Sequence, residues 1–276
     1  PAPSPHRRRE SRIEIYMKSK IDMDGFDQRL RQRTTASPNP LYTIPVDVAP
    51  YARGVIPNTP LAASTTSFLL GALFSFGLLL FITGGFEGSW WSTYQLGFFL
   101  AAWSAFHWGE FAVTAGWNPE KCSIDSFLLE NGALYHVAHS VALLEYLITL
   151  YFKPSFKSHA YVSSAALGQT LRSIAMIHAG SNFSHAVAHR KLESHVLVTN
   201  GIYKWFRHPS YTGFFYWALG TQLVLQNPVS FLFFMVVLWR FFYYRIKSEE
   251  VSLIRFFGDD YRRYRSAVGT KIPFIP

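Results

Sequence analysis

Three groups of residues have the types and spacings needed for chemistry. Arg207-His208-Pro209-Ser210-Tyr211 lies where a basic stretch meets an apolar one, with Pro209 suited to the first turn of a helix. The open N–H groups of such a turn could bind an anion, or the motif could simply start a helix with an arginine among lipid headgroups. Further on, Arg240, Arg245, Lys247, Glu249 and Glu250 fall within eleven residues. Arg245 could fork onto a carboxylate, and Glu249, four residues later, could hold that arginine or accept hydrogen bonds from a ligand's ammonium or hydroxyl groups. The bland alternative is a pair of cations reaching for headgroups and an acidic first turn of a new helix after Ser248. Finally, His136-x2-His139 and His185-x3-His189 are spaced like paired metal ligands, as in a di-iron membrane oxygenase. No third dense histidine group accompanies them, because His195 and His208 stand alone, so no metal is expected and the histidines read as polar partners. The single cysteine, Cys122, excludes an internal disulfide and a cysteine-ligated zinc, and no GxGxxG turn is present.

These groups must be positioned by elements that cross a bilayer. The chain has 276 residues, 49% hydrophobic and 17% aromatic with 16% charged, an unusual balance for a soluble domain. Residues 1–60 are rich in proline and arginine without a sustained apolar period and read as a largely disordered cytosolic tail. Leu61 to Thr83 contains no ionisable residue and is long enough to cross a hydrocarbon core of about 30 Å. Further spans are expected at Tyr94–Ala115, Ser126–Phe152, Ala160–Gly180, 210–226 and 229–246, the last two forming a hairpin around Asn227-Pro228. Val251, Ile254, Phe257, Tyr261, Tyr264 and Val268 recur at helical steps between charged residues, which predicts an amphipathic helix under the bundle, interrupted near Gly258. The fold class is therefore all-α: a polytopic membrane protein of about six transmembrane helices plus a C-terminal cytosolic amphipathic helix. Its regions are the tail, the N-terminal membrane helices at 61–180 and a catalytic region at 181–276.

Charge orients the bundle. The formal charge of +9 sits mostly beside apolar spans, a pattern that fits anionic lipid and the positive-inside bias better than nucleic acid. Arg190, Lys191, Lys204 and Arg207 mark the 181–208 loop as cytosolic, and six cations after Ile246 mark the C-terminal segment the same way, whereas 84–92 and 227–228 carry none. Both termini are expected in the cytosol. Lys153 and Lys157 run against the pattern. Ionisable residues inside spans are costly and mark cavities, and Glu110 and Glu130 are expected at similar depth near the cytosolic end, beside His185, His195, Arg207, Arg245 and the acidic pair.

In order and spacing, Ser181-Asn182-Phe183-Ser184-His185, His195-Val196-Leu197-Val198, Gly201-Ile202-Tyr203, Arg207-His208-Pro209-Ser210-Tyr211-x-Gly213, Trp239-Arg240-Phe241-Phe242, Arg245, Glu249-Glu250 and Phe256-Phe257-Gly258 resemble the isoprenylcysteine carboxyl methyltransferase family. Phe106-His107-x2-Glu110 and Pro273-Phe274-Ile275 extend the resemblance over roughly 61–276, and the absence of a span before Leu61 is similar to the fungal branch. Single elements also occur in membrane phospholipid methyltransferases and NADPH-dependent sterol reductases. Two departures stand out: nine residues separate Ser158 from Gly168, where relatives carry a longer apolar segment, and Glu130 stands where asparagine is common. The first predicts a short fourth helix, as a truncated or alternatively spliced chain would give.

The resemblance implies an endoplasmic-reticulum enzyme that uses S-adenosylmethionine to methylate the C-terminal prenylcysteine carboxylate of processed CaaX proteins. Ras- and Rho-like GTPases and prenylated pheromone-like peptides are its implied substrates. It places cofactor contacts on His195, Val196, Leu197, Val198, Tyr203, His208, Pro209, Ser210, Tyr211 and Glu249, and carboxylate binding on Arg245. Glu249 would orient the cofactor, and Glu250 would position Arg245 or the covering segment.

Overall fold

The computed structural model describes residues 56–152, 162–188 and 190–276. The expected N-terminal tail, apart from its last residues, lies outside the described residues, as do Lys153, Lys157, Ser158 and His189. The described chain is helical, with one isolated bridge between Ile272 and Ile275. We label the helices α1 (Pro60–Thr83), α2 (Tyr94–Trp117), α3 (Ala133–Phe152), α4 (Val162–Ala179), α5 (Pro209–Leu225), α6 (Pro228–Phe257) and α7 (Asp259–Ala267).

Local chemistry sets the boundaries. Thr59 and Thr93 accept hydrogen bonds from the first turns of α1 and α2, and Pro60, Pro209 and Pro228 occupy initial turns, where a missing N–H costs nothing. Asn227-Pro228 does separate two helices. The sequence expectation needs correction at two other places. α3 begins at Ala133 rather than Ser126, because Ser123 and Ser126 close a reciprocal cap on a short 3-10 turn and Gly132 then adopts φ 85°. The sixth helix does not stop near residue 246 but runs unbroken to Phe257, so the amphipathic C-terminal helix is confined to Asp259–Ala267. Among the described residues, three helices are long and apolar enough to cross a membrane on length and composition, namely α1, α3 and α6, against the six expected. Within the described residues α4 is 18 residues long.

α5 is the centre of the bundle. Most of its residues are buried, including Phe215, Trp217, Ala218 and Val224, and an element apolar on all sides belongs inside. It packs antiparallel on α4 through a seam of small residues. A Cβ at Gly213 would stand 2.6 Å from the Gly168 carbonyl and 2.7 Å from the Arg172 nitrogen, and one at Gly220 would stand 2.5 Å from the Ala165 nitrogen. Such backbone-to-backbone contact is how helices associate where no hydrophobic drive acts between them. α1 packs on α2 and turns Phe68, Leu69, Leu79 and Ile82 outward, a surface suited to lipid tails.

One ion pair crosses this frame. Arg172 of α4 donates from Nε to Glu110 Oε1 of α2 at 2.5 Å and from Nη2 to Oε2 at 2.7 Å, and its Nη1 reaches Ser210 Oγ at 2.8 Å on the first turn of α5. Glu110 is fully buried and Arg172 is 6% exposed, with Phe106 and Phe214 against the guanidinium. At the opposite end Glu145 of α3 accepts the Val229 and Ser230 N–H groups, capping α6 at 3.0 and 2.7 Å.

Two outcomes are expected. Gly213→Leu cannot be absorbed by side-chain motion and should destabilise the bundle by at least the ~1–3 kcal/mol of an overpacked core, read as a lower thermal midpoint in detergent. Glu110→Ala leaves Arg172 buried without its counter-charge and should cost about 3–5 kcal/mol, whereas the double change Glu110→Ala/Arg172→Met should recover part of that loss in the same measurement.

Candidate functional site

Most of the residues singled out in the sequence converge on two adjoining cavities at the end of the bundle that carries the 181–208 loop. The larger, of about 750 Å³, is a mainly apolar cleft between α3, α5 and α6, walled by Leu134, Ala138, Phe214, Phe234 and Leu238 and reaching Arg245. The smaller, of about 130 Å³, lies between the loop, the start of α5 and the end of α6. Phe183, Ser184, Ser210 and Tyr211 line both, so a common wall separates them.

Arg245 faces the larger cleft. Its guanidinium lies 5.2 Å from the centre of the Tyr211 ring and 5.8 Å from that of Phe241, and Nη2 donates to the His185 carbonyl. Its Nε is buried and has no hydrogen-bond partner among the described residues. A charged donor in this condition is expensive unless a ligand meets it. Tyr211 carries the other half of the arrangement: its hydroxyl donates to Glu249 Oε2 at 2.5 Å, which holds that carboxylate at the small cavity. Helical spacing explains why Arg245 and Glu249 can serve neighbouring chambers, since they lie one turn apart on α6.

Of the residues expected to hold a cofactor, Val196, Leu197, Val198, Tyr203, His208, Pro209, Ser210, Tyr211 and Glu249 line the small cavity. His195 does not. Its ring stands against Phe256, and burial, with Lys121 and Lys191 nearby, lowers its pKa and favours the neutral form. Glu250 lines neither chamber. It is 5% exposed and pairs with Arg207 at 2.6 Å and Arg265 at 3.2 Å, with His208 Nε2 at 3.4 Å. Arg207 extends this knot by donating to the carbonyls of Arg265, Val268 and Pro276, so the N-terminal edge of α5 is tied to α7 and the final residues. Burial, and then Glu249, raises the pKa of Tyr203, whose hydroxyl reaches the Ala175 carbonyl at 3.2 Å. Tyr264 is pushed up to about 12 by burial and anchors the loop through the Tyr203 carbonyl at 2.7 Å.

The covering loop is clamped by groups that its own sequence does not reveal. Asn118 and Lys121 donate to the Phe183 carbonyl, Lys121 also to that of Ser181, and Asn182 Oδ1 accepts the Val196 N–H at 2.8 Å. His185 Nε2 meets Glu110 Oε2 at 2.9 Å, joining the loop to the buried pair. Sequence alone does not pair Glu110 with Arg172; the available signal is that they are opposite charges in separate apolar stretches. Glu130 is not inside a span: it precedes α3, and its carboxylate accepts the Ile56 N–H at 3.2 Å. Among the described residues no group of three or more His, Cys, Asp or Glu side chains is arranged to hold a metal, and the His139 Nδ1 is occupied by the Tyr135 carbonyl at 2.9 Å.

Comparison with known proteins matches this geometry to one group of enzymes. Residues 161–255 match the model of the isoprenylcysteine carboxyl methyltransferase (ICMT) family. The chain is 46% identical over 230 residues to the protein-S-isoprenylcysteine O-methyltransferase of Schizosaccharomyces pombe, covering 76% of this chain and 94% of that one. With the human protein of the same name it is 44% identical over 211 residues, covering 75% and 72%. A solved structure, described as the eukaryotic intramembrane Ras methyltransferase ICMT without a monobody, superposes with a TM-score of 0.71 at 35% identity, over 78% of this chain and 82% of that one. Because these similarities span the helices that build both cavities as well as the motifs that line them, the chain belongs to the isoprenylcysteine carboxyl methyltransferase family.

Proposed function

We propose that this protein transfers a methyl group from S-adenosylmethionine to the C-terminal carboxylate of prenylcysteine in processed CaaX proteins, giving the methyl ester. The observation that carries the reading is the shared wall: an apolar cleft ending on a partly unpartnered arginine abuts a smaller chamber of mixed lining that contains a carboxylate. Family membership supports the same reaction. We further read all six long helices as membrane spans, with both termini in the cytosol and the enzyme in the endoplasmic-reticulum membrane. Ras- and Rho-like GTPases and prenylated pheromone-like peptides are the proposed substrates.

The residues present fit a sulfonium nucleoside. Glu249, fixed by Tyr211, offers an acceptor to ammonium or hydroxyl donors, while the Tyr203 and Tyr264 rings and Val196–Val198 supply apolar surface. Val196, which lines the chamber, is 65% exposed, so the chamber is open to solvent at that edge. When bound, S-adenosylmethionine supplies an electrophilic methyl group on a positively charged sulfur.

What the chain must add is placement. An α-carboxylate has a pKa near ~3.5, so it arrives ionised at neutral pH and no general base is needed. Arg245 would take that carboxylate on its open Nε, in a cleft whose apolar lining keeps water from solvating the charge. Its Nη2 bond to His185 and the flanking rings of Tyr211 and Phe241 restrict where the guanidinium can point, which converts binding into orientation. Tyr211 serves both ligands, since one face touches the arginine and the hydroxyl secures Glu249. Glu250 acts at a distance, by neutralising Arg207 and so holding His208 and the start of α5.

The apolar cleft also explains the membrane. At about 0.8 kcal/mol per buried methylene, a farnesyl or geranylgeranyl chain stays in the bilayer, and the apolar cleft lined by α3 and α6 would receive it there. The polar donor would come from the other side.

With purified protein, labelled S-adenosylmethionine and a prenylcysteine acceptor, ester formation is expected from the unaltered chain; none would sink the reading. Arg245→Ala should lower kcat/KM by about 10²-fold or more, and Arg245→Lys should restore little because one point charge cannot reproduce the fork. Glu249→Gln should raise the KM for the methyl donor by about tenfold, the loss of one charge-assisted contact, and leave the KM for the acceptor near its original value.

A further inference from the structure

Four tyrosines line the small cavity, Tyr203, Tyr211, Tyr261 and Tyr264, and three of their hydroxyls are engaged. Tyr203 donates to the Ala175 carbonyl, Tyr211 to Glu249 and Tyr264 to the Tyr203 carbonyl. The fourth is different. Tyr261, on α7, is 1% exposed, and its hydroxyl oxygen is buried close to the Glu250 carboxylate but makes no hydrogen bond of good geometry among the described residues. A polar group left in that state costs about 1–3 kcal/mol, and packing gives no reason to accept the cost, because phenylalanine would fill the same volume.

The surroundings say what kind of group would satisfy it. The carboxylates of Glu250 and Glu249 and the guanidinium of Arg207 are the charged groups near the phenol. Burial first, and then Glu250, raises its pKa, so the hydroxyl stays neutral and keeps its proton. That proton is drawn towards the carboxylate side, which leaves the oxygen lone pairs to accept. Carboxylates cannot donate to them, so the missing partner is a hydrogen-bond donor. The position is also rigid for reasons independent of the hydroxyl: Arg207 holds the Arg265 and Val268 carbonyls at the end of α7, and Arg265 pairs with Glu250.

We infer that Tyr261 is a further ligand of the methyl donor, its hydroxyl accepting a hydrogen bond from the ammonium or a ribose hydroxyl of the bound nucleoside, next to Glu249. The inference rests on reading the small cavity as the cofactor site and deepens it. α7 becomes part of the binding surface instead of only an amphipathic cover. It also gives the Arg207–Glu250 knot a purpose at the site, since that knot sets where the Tyr261 oxygen lies.

The test compares the purified full chain with Tyr261→Phe in lipid nanodiscs. By calorimetry, S-adenosylhomocysteine should bind the variant about threefold to tenfold more weakly, the effect of one lost hydrogen bond, while the KM for the prenylcysteine acceptor stays the same. Without ligand the thermal midpoint should be unchanged or higher, because an unpaired buried group has been removed, yet the rise produced by S-adenosylhomocysteine should shrink. A loss that persists with 5′-methylthioadenosine places the contact at the ribose, and a loss confined to S-adenosylhomocysteine places it at the ammonium. Equal affinity in the two proteins overturns the inference, as does a lower ligand-free midpoint with the ligand-induced rise intact. If the unaltered chain itself fails to bind S-adenosylhomocysteine, the assignment of the small cavity falls instead.

Discussion

A charge taken out of water must find its counter-charge within the protein, and the Glu110–Arg172 pair is where this chain meets that constraint most completely. Both members are buried, the fork is bidentate, and the remaining guanidinium donor goes to Ser210. An apolar pair could stabilise the same helices as well or better. What an ion pair adds is direction. It admits one register of α2 against α4, and through Ser210 it fixes the first turn of α5, where the shared wall begins. Glu110 also receives His185, whose carbonyl in turn is held by Arg245. The position of Arg245 therefore depends, through His185, on a carboxylate of α2.

Arg207 performs the matching task on the other side of the small chamber. Its partners are separated from it by tens of residues: Glu250 on α6, and the carbonyls of Arg265, Val268 and Pro276 beyond. Trp239, Tyr216 and Thr270 fasten the same terminal segment by hydrogen bonds to the carbonyls of Pro273, Lys271 and Ile275. Thus α7 and the final residues are held by side-chain donors, of which Arg207 and Thr270 are buried, as well as by an amphipathic face. The exposed pairs on α7, Arg262 with Asp259 and Arg263 with Asp260, are solvated and contribute little to this attachment.

The parts of the site that could be read from the sequence are those where neighbours in the chain are neighbours in space. Residues 195–211 are one continuous loop and helix start, which the family resemblance marked as cofactor contacts, and Arg245 and Glu249 share a helix face, which their spacing showed. Long-range partners were less visible. Glu250 read as a participant because it adjoins Glu249, yet its carboxylate points at Arg207, 43 positions earlier. Tyr261 fell on the apolar period of α7, which conceals that its hydroxyl has a separate role. Boundaries failed for local reasons: the Ser123–Ser126 cap and the turn at Gly132 consume residues that hydropathy assigns to a span, and the polar stretch after Ile246 looks like an ending although no helix breaker occurs before Gly258. Charge changes the solvent a helix is suited to without stopping the helix.

That last point bears on how α6 works. Its first twelve residues carry no charge and the remaining eighteen carry six charged side chains, so one continuous helix passes from the apolar cleft to the smaller chamber. Arg245 and Glu249 sit near the transition, four residues and about 6 Å of rise apart. Had the helix ended near residue 246, the two groups would belong to separate elements joined by a loop, and their spacing would vary with every motion of that loop. Continuity makes the separation a property of the backbone. A transfer that needs no acid or base depends almost wholly on such fixed spacing, because bringing the carboxylate and the methyl donor into line is most of what the protein can contribute. The seam of glycines between α4 and α5 serves the same end, since close backbone packing leaves the shared wall little room to shift.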